Sequence, residues 1–152
     1  METIWIKNIE VDGRCVTYHL DISTGLACYF NDKREMFVEF GFDISAIPKS
    51  VLAVPILSNI MQFAWLFDCL VWIESVDKQF YECLPRIKRS FQEMYRNYSF
   101  GGSLIAAKVI DNEHSVKKES ALLFTGGVDA TTTFLRIRDT HPILIDTFGW
   151  CN

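Results

Sequence analysis

The sequence predicts an α+β amino-terminal region, built from antiparallel strands and two main helices, followed by the incomplete start of an α/β domain. Three observations support this fold class. Short alternating segments separated by turn signals fill the first forty residues. Two helical apolar patterns follow, and near the carboxyl end an apolar run meets two glycines, an acid and several hydroxyls. We therefore predict an amino-terminal domain at residues 1–112 and a second, partial element at residues 118–152.

The first segment is predicted to be an antiparallel meander. Asp12-Gly13 is a strong hairpin signal between an apolar strand at residues 4–11 and an alternating strand at residues 15–20. Further turn residues precede a third strand at residues 26–30 and a fourth at residues 36–40. His19 lies on one of these strands, where a lone histidine is more often a surface or packed residue than a ligand.

Two helices and two further strands are predicted next. Pro48 and Pro55 are each placed to begin helical turns, and the apolar face of the first main helix starts at Pro55. A buried strand follows at residues 68–73. Asp77 is a predicted N-cap for a second amphipathic helix, which Pro85 should kink or split. The Phe and Met stripe of that helix is assigned to the core, and a strand at residues 103–110 leads into a polar linker.

Composition excludes several classes of protein. Apolar residues make up 49% of the 152-residue chain, which suits a packed core, and a net charge of −4 offers no general attraction to nucleic acid or an anionic membrane. The longest apolar stretch, residues 51–71, is interrupted by polar residues and is not expected to span a membrane. Five cysteines without C-x-x-C spacing, together with the absence of a signal-peptide pattern, predict a cytoplasmic location.

The stretch with the clearest chemistry is residues 121–135. An apolar run is followed by Thr125-Gly126-Gly127-Val128-Asp129 and by helix-forming residues, and residues 143–145 form a second apolar run. This order predicts strand, glycine turn, helix and strand. Glycines at the turn permit positive φ and leave no Cβ between the backbone and a ligand. Free N–H groups at the start of the helix can then bind a phosphate.

Residues 123–131 resemble the Ser-Gly-Gly-x-Asp-Ser motif of the PP-loop ATP pyrophosphatases, and among these the chain is most similar to 7-cyano-7-deazaguanine synthase and its relatives. The resemblance implies an ATP-binding enzyme that adenylates a substrate oxygen and releases pyrophosphate. It differs from a Walker loop, because no Lys-Ser/Thr follows the glycines, and from a dinucleotide fingerprint, because no third glycine is suitably placed.

The resemblance also implies roles for individual residues. ATP and magnesium are the implied cofactors, with Asp129 binding magnesium or orienting the loop. Asp146 follows the second strand and is a candidate ribose contact, although an acid at a strand-end turn is the more common role for such a residue. The implied nucleotide-binding set is Thr125, Gly126, Gly127, Val128, Asp129, Ala130, Thr131 and Asp146.

Two departures from the family pattern leave alternatives open. Ala130 replaces the last serine of the motif, and the resemblance covers only about residues 118–150, without the later strands or the cysteine cluster of the synthases. The Gly-Gly-x-Asp segment is also compatible with an ordinary strand-to-helix turn in which Asp129 is a plain cap. Catalysis by these residues alone is therefore not expected.

Three arrangements would cover the apolar residues of this element. In the first, the chain is a piece of a longer enzyme that supplies the missing strands. In the second, another copy or a partner subunit completes the sheet. In the third, the strands of this element join residues 69–73 and 103–110 in one mixed sheet. We favour a truncated or partner-completed PP-loop protein. The competing hypothesis is a non-enzymatic interaction module or subunit with a degenerate nucleotide site.

Overall fold

The computed structural model describes residues 2–112 and 120–145, and the chain divides into two units, Met1–Asn112 and Glu113–Asn152. The strands of the first unit are β1 (Thr3–Asp12), β2 (Cys15–Ile22), β3 (Glu35–Glu39), β4 (Leu70–Asp77) and β5 (Ser103–Ile110), and its helices are α1 (Lys49–Leu66) and α2 (Lys78–Met94). Mixed α+β architecture is thus confirmed.

The five strands of the first unit form one sheet in the order β3-β2-β1-β4-β5. β1 and β2 pair antiparallel around the predicted Asp12-Gly13 turn, and β3 pairs antiparallel with β2. β4 instead runs parallel to both β1 and β5. The prediction of antiparallel strands alone was therefore incomplete, because a helix lies between β3 and β4 and another between β4 and β5. Such long crossovers return the chain in the same direction.

One face of this sheet holds the hydrophobic core. Alternate strand residues are buried, as with Ile4 and Ile6 on β1 and Val71 and Ile73 on β4, whereas Trp72 between the last two is 40% exposed. Both helices contact the sheet and each other. The helices therefore cover the face that the alternation makes apolar, as expected for a layered α/β arrangement.

Two predicted elements of the first unit were wrong. Residues 26–30 do not form a strand, since Thr24–Tyr29 is a 3₁₀ helix. Only Leu26 of this helix is buried, so the segment lacks the repeated inward positions of a strand. Helix α1 begins at Lys49 rather than at Pro55, because the buried residues Leu52 and Ala53 extend its apolar face upstream.

Helix α2 also differs from its prediction in two respects. It runs without interruption from Lys78 to Met94, so Pro85 does not split it. Its apolar stripe is only partly core, because Leu84 is buried but Met94 is 71% exposed. The ring of Phe91 still reaches Trp65 on α1, with centroids 6.0 Å apart.

Helix α1 is long and apolar enough to cross a membrane by length and composition alone. Half of it is buried within the protein. Its buried residues include Ile56, Leu57 and Met61, which belong to the hydrophobic core. The helix therefore serves as the core helix of the first unit.

The second unit contains the predicted strand, turn, helix and strand. These elements are β6 (Ala121–Leu123), α3 (Val128–Ile137), a 3₁₀ turn at Arg138–Thr140 and β7 (Ile143–Ile145). β6 and β7 pair in parallel as a two-stranded sheet separate from the five-stranded one. The alternative in which these strands join β4 and β5 is therefore not found.

Candidate functional site

The candidate site is the turn between β6 and α3. Pairing with β7 continues one residue beyond β6, because the Phe124 amide donates to the Ile145 carbonyl at 2.8 Å. The chain then turns at Gly126, whose φ is +74°. Gly127 is the N-cap of α3 in an extended conformation, with φ −70° and ψ 168°. Only Gly126 thus uses the left-handed region that was expected of both glycines.

The amino end of α3 carries no side-chain cap. The first helical hydrogen bond is donated by the Thr131 amide to the Gly127 carbonyl at 2.9 Å, and the N-cap makes no side-chain hydrogen bond. The N–H groups of the first turn, at Val128, Asp129 and Ala130, have no helical acceptor because they precede that bond. Their partial positive charge, added to the helix dipole, favours a bound anion.

Space for such an anion exists at the two glycines. A Cβ built on Gly126 would meet no atom within 4 Å. A Cβ on Gly127 would meet only the Thr125 hydroxyl, at an ordinary contact distance of 3.6 Å. The exposed backbone of this turn is therefore open to a ligand, and the Thr125 hydroxyl lies beside it.

Asp129 and two threonines define the polar side chains of the site. Asp129 lies in the first turn of α3 and is exposed, and within the described residues its carboxylate has no hydrogen-bond partner. It is therefore not the plain N-cap that the simplest interpretation of the turn predicts. Thr131 is exposed, whereas the Thr133 hydroxyl donates to the Asp129 carbonyl at 2.8 Å. Ala130 is half-buried and offers no polar group.

Two aromatic rings pack together between the end of β6 and α3, next to the turn. Phe124 follows β6 and Phe134 lies on α3, with their ring centroids 5.7 Å apart in an edge-to-face arrangement. At the other end of the unit, the hydroxyls of Ser120 and Thr140 are 2.8 Å apart. These contacts hold α3 against the parallel strands and set the direction of its amino end.

The structure brings together seven of the eight predicted site residues, because they are consecutive in the turn and first helical turn. Asp146 is the eighth and lies outside the described residues. In ranges 2–112 and 120–145, no group of three or more His, Cys, Asp or Glu side chains is arranged to hold a metal ion. Magnesium at Asp129 would therefore need phosphate oxygens among its ligands, which is its usual mode at nucleotide sites.

A histidine and two carboxylates meet on the first sheet. His19 Nε2 is 3.2 Å from Glu10, and its Nδ1 is 3.0 Å from Glu35. Each carboxylate contacts a different ring nitrogen, so the three groups do not converge on one point. The arrangement is an ion-pair network across β1, β2 and β3 when His19 is protonated.

A buried polar cluster in the first unit was missed by sequence reasoning. Asp77 is 4% exposed and accepts hydrogen bonds from the Phe80 amide at 3.0 Å and the Asn112 side chain at 2.9 Å. Asn112 also contacts the hydroxyl of Ser50 at 3.1 Å. Sequence reasoning found only the N-cap, because Ser50 and Asn112 are far apart in the chain. The cluster joins the end of β5 to the starts of both helices.

Comparisons with known proteins give no relative for this chain. No protein-family model, no curated protein and no solved structure matches it. Functional assignment therefore depends on the geometry of the chain itself.

Proposed function

We propose that the second unit is the phosphate-binding part of an ATP-binding, AMP- and pyrophosphate-forming synthase-like protein of the PP-loop type. The observation that carries the proposal is the uncapped amino end of α3 beside Gly126, with an open backbone and no competing side-chain acceptor. The unit has the arrangement that presents N–H groups to phosphate, in which a strand, a glycine turn and a helix are followed by a parallel strand.

Each residue of the turn has a distinct role in this proposal. The N–H groups from Gly127 to Ala130 bind the pyrophosphate end of ATP, and the hydroxyls of Thr125 and Thr131 donate further hydrogen bonds. Asp129 is the carboxylate ligand for magnesium. ATP, when bound, would supply an adenylyl group to a substrate oxygen with release of pyrophosphate. Later strands, from a longer chain or from a partner, would provide the substrate site.

Calorimetry of the 152-residue chain with ATP and magnesium tests the proposal. We expect saturable binding of ATP and of pyrophosphate, and weaker binding of AMP, because the turn recognises the phosphate end. Gly127→Asp should weaken ATP binding about tenfold or more, since its carboxylate would occupy and repel the anion site. The substitution fits the backbone, because φ at Gly127 is −70° and Asp is a favoured N-cap.

Gly127→Asn is the matched control for that experiment. Asn has nearly the same shape and also caps the helix, but it carries no charge. It should therefore weaken ATP binding less than Gly127→Asp does. Absence of ATP binding by the folded wild-type protein, or equal binding by wild type and Gly127→Asp, would overturn the nucleotide site.

A cytoplasmic location forms part of the same proposal. Four of the five cysteines lie in the described residues, and all four are free thiols. Cys69 is fully buried, and burial raises the pKa of its thiol. Free thiols of this kind suit a reducing compartment.

A second candidate function is an interaction module whose sheet is completed by a second copy or a partner subunit. It is favoured by the exposure of apolar side chains in the second unit. Ile143, Leu144 and Ile145 on β7 are between 47% and 56% exposed, and Leu123 on β6 is 57% exposed. A two-stranded sheet with this much apolar surface is a surface for association. Ala130 in place of a serine agrees with a degenerate nucleotide site.

A further inference from the structure

A cavity of about 350 Å³ lies in the first unit, where the carboxyl-terminal ends of α1 and α2 meet. Its walls are Phe63 and Leu66 of α1, Phe91 and Tyr95 at the end of α2, and Tyr98 and Phe100 of the following loop. We propose that this cavity binds a neutral, planar aromatic ring system with heteroatoms at its edge. All of its lining residues belong to the first unit, whereas the proposed nucleotide turn belongs to the second.

The size and composition of the cavity suit a small ligand. Ligand pockets in proteins usually measure about 300 to 1,000 Å³ and are lined mainly by apolar and aromatic side chains. Five of the seven lining residues here are aromatic. Tyr95 is 47% exposed and Tyr98 is 60% exposed, so a ligand would remove apolar ring surface from water.

The rings already stand in orientations that favour stacking. Phe91 and Tyr95 are nearly parallel, with an interplanar angle of 18° and centroids 6.2 Å apart. Phe100 is inclined to Phe91 by 52° at the same separation. A planar ligand can stack on one ring while contacting the edge of another, which are the two favourable aromatic geometries.

Contacts behind the walls hold the two central rings in place. Phe63 packs against Phe67, with centroids 4.4 Å apart, and against Tyr29 at 5.4 Å. Phe91 contacts the buried Trp65 at 6.0 Å. Walls that are already ordered lower the entropy cost of binding.

The charge of the lining selects the class of ligand. None of its residues is ionic, and its polar side-chain atoms are the hydroxyls of Tyr95 and Tyr98 and the amide of Gln62. The Gln62 amide donates only a long hydrogen bond, 3.4 Å, to the Ser58 carbonyl. These groups can pair with ring heteroatoms, whereas an anion would find no cation among the lining residues. An ammonium group would find no carboxylate there and would be held only by the ring faces, whose cation–π attraction is weak at exposed sites. A neutral heteroaromatic ring matches this lining best.

Titrations of the full chain with indole and quinoline, monitored by saturation-transfer NMR, test the proposal. Cyclohexanol is the apolar non-aromatic control and tetramethylammonium is the cationic control. We expect saturable binding of indole and quinoline and much weaker binding of both controls. Equal binding of cyclohexanol, or preferential binding of tetramethylammonium, would overturn the proposed ligand class.

Three variants locate the binding. Tyr98→Ala removes one wall and should weaken indole binding about fivefold or more, in line with the contribution of one stacked ring. Leu66→Trp fills the cavity and should abolish binding while thermal melting shows an intact fold. Phe37→Ala is the matched control, because Phe37 is an exposed aromatic residue on β3, outside the cavity.

Three results of these binding measurements would contradict the proposal. Indole binding that persists in Leu66→Trp, or that falls as far in Phe37→Ala as in Tyr98→Ala, would place the ligand elsewhere. Absence of saturable binding by folded wild-type protein would remove the site. Loss of ATP binding in Gly127→Asp has no bearing on these results, so the two proposals fail separately.

Discussion

At the scale of single residues, Tyr18 shows how a polar atom is accommodated in the core. Its side chain is fully buried on β2, and its hydroxyl donates to the Leu52 carbonyl of α1 at 2.7 Å. Burial disfavours the phenolate and raises the pKa of Tyr18 from 10.0 to about 12. The hydrogen bond links the second strand to the first turns of the core helix.

This raised pKa predicts a specific loss of stability at alkaline pH. The folded-state pKa lies above the unfolded value, so the contribution of Tyr18 is fully present below pH 10 and is lost as pH rises through about 12. The loss should reach about 3 kcal/mol of unfolding free energy. Urea unfolding across this pH range measures it.

Tyr18→Phe is the variant that isolates the effect. At neutral pH it should lose about 1 kcal/mol, the net value of one hydrogen bond, and its stability should fall less steeply above pH 10. Tyr29→Phe is the control, because Tyr29 is 56% exposed. An identical alkaline slope in wild type and Tyr18→Phe would contradict the assignment.

At the scale of elements, helix α2 begins at a buried carboxylate that accepts hydrogen bonds from two groups within the described residues. Asp77 ends β4, caps α2 through the Phe80 amide and bonds the side chain of Asn112 beyond β5. One residue therefore fixes the junction of a strand and a helix and ties the next strand to it. Such buried networks are costly to break, because a remaining polar group loses its partner.

Two substitutions separate the cap from the link to Asn112. Asp77→Ala removes both and should lower the unfolding free energy by about 2 to 3 kcal/mol. Asp77→Ser keeps a hydroxyl acceptor at the N-cap but is too short to reach Asn112, so it should lose about 1 kcal/mol less than Ala does. Chemical denaturation measures both, and equal losses in the two variants would show that capping of α2 contributes nothing.

At the scale of the whole molecule, the two units differ in how much surface they bury. The first contains the buried core, from Ile4 on β1 to Leu104 on β5. No residue of β6, α3 or β7 is fully buried. Since burial of apolar surface is the main stabilising term in folding, the described elements of the second unit gain less stability from their own packing.

This difference predicts association through β7. Light scattering of the wild-type chain should show a mass that rises with concentration, because strand edges and apolar side chains are exposed together. Leu144→Lys should reduce association by placing a charge on the strand. Val128→Lys is the matched control, since Val128 is 83% exposed but lies at the start of α3. A wild-type protein that stays monomeric at all concentrations would contradict self-association. It would favour a sheet that is completed by a different protein or by additional residues of a longer chain.

Local patterns in the sequence were sufficient to predict most of the strands and helices. The Asp12-Gly13 hairpin, the N-cap at Asp77 and the strand at residues 103–110 all appear as predicted. The order of strand, glycine turn, helix and strand in the second unit also appears. Each depends on interactions between residues close in the chain, such as capping, turn geometry and side-chain periodicity.

Other features could not be predicted because they depend on neighbours far away in the chain. Residues 26–30 carry apolar side chains, but only Leu26 of the 3₁₀ helix is buried, and Tyr29 and Phe30 pack against Phe63 of α1. Gly102 directly precedes β5. In the structure its φ is +59°, and a Cβ there would collide with the carbonyl of Ala64 on α1. That requirement exists only once α1 has packed beside the start of β5.

The sequence by itself determined where most of the strands, helices and turns form and that residues 125–131 hold a glycine turn followed by the start of a helix, because these depend on backbone preferences and local periodicity. Only the tertiary structure decided the parallel pairing of β1, β4 and β5, the network of Ser50, Asp77 and Asn112, and the aromatic cavity between α1 and α2. These features join segments distant in sequence. Their geometry is set by the burial of apolar surface and the pairing of buried polar groups throughout the folded unit.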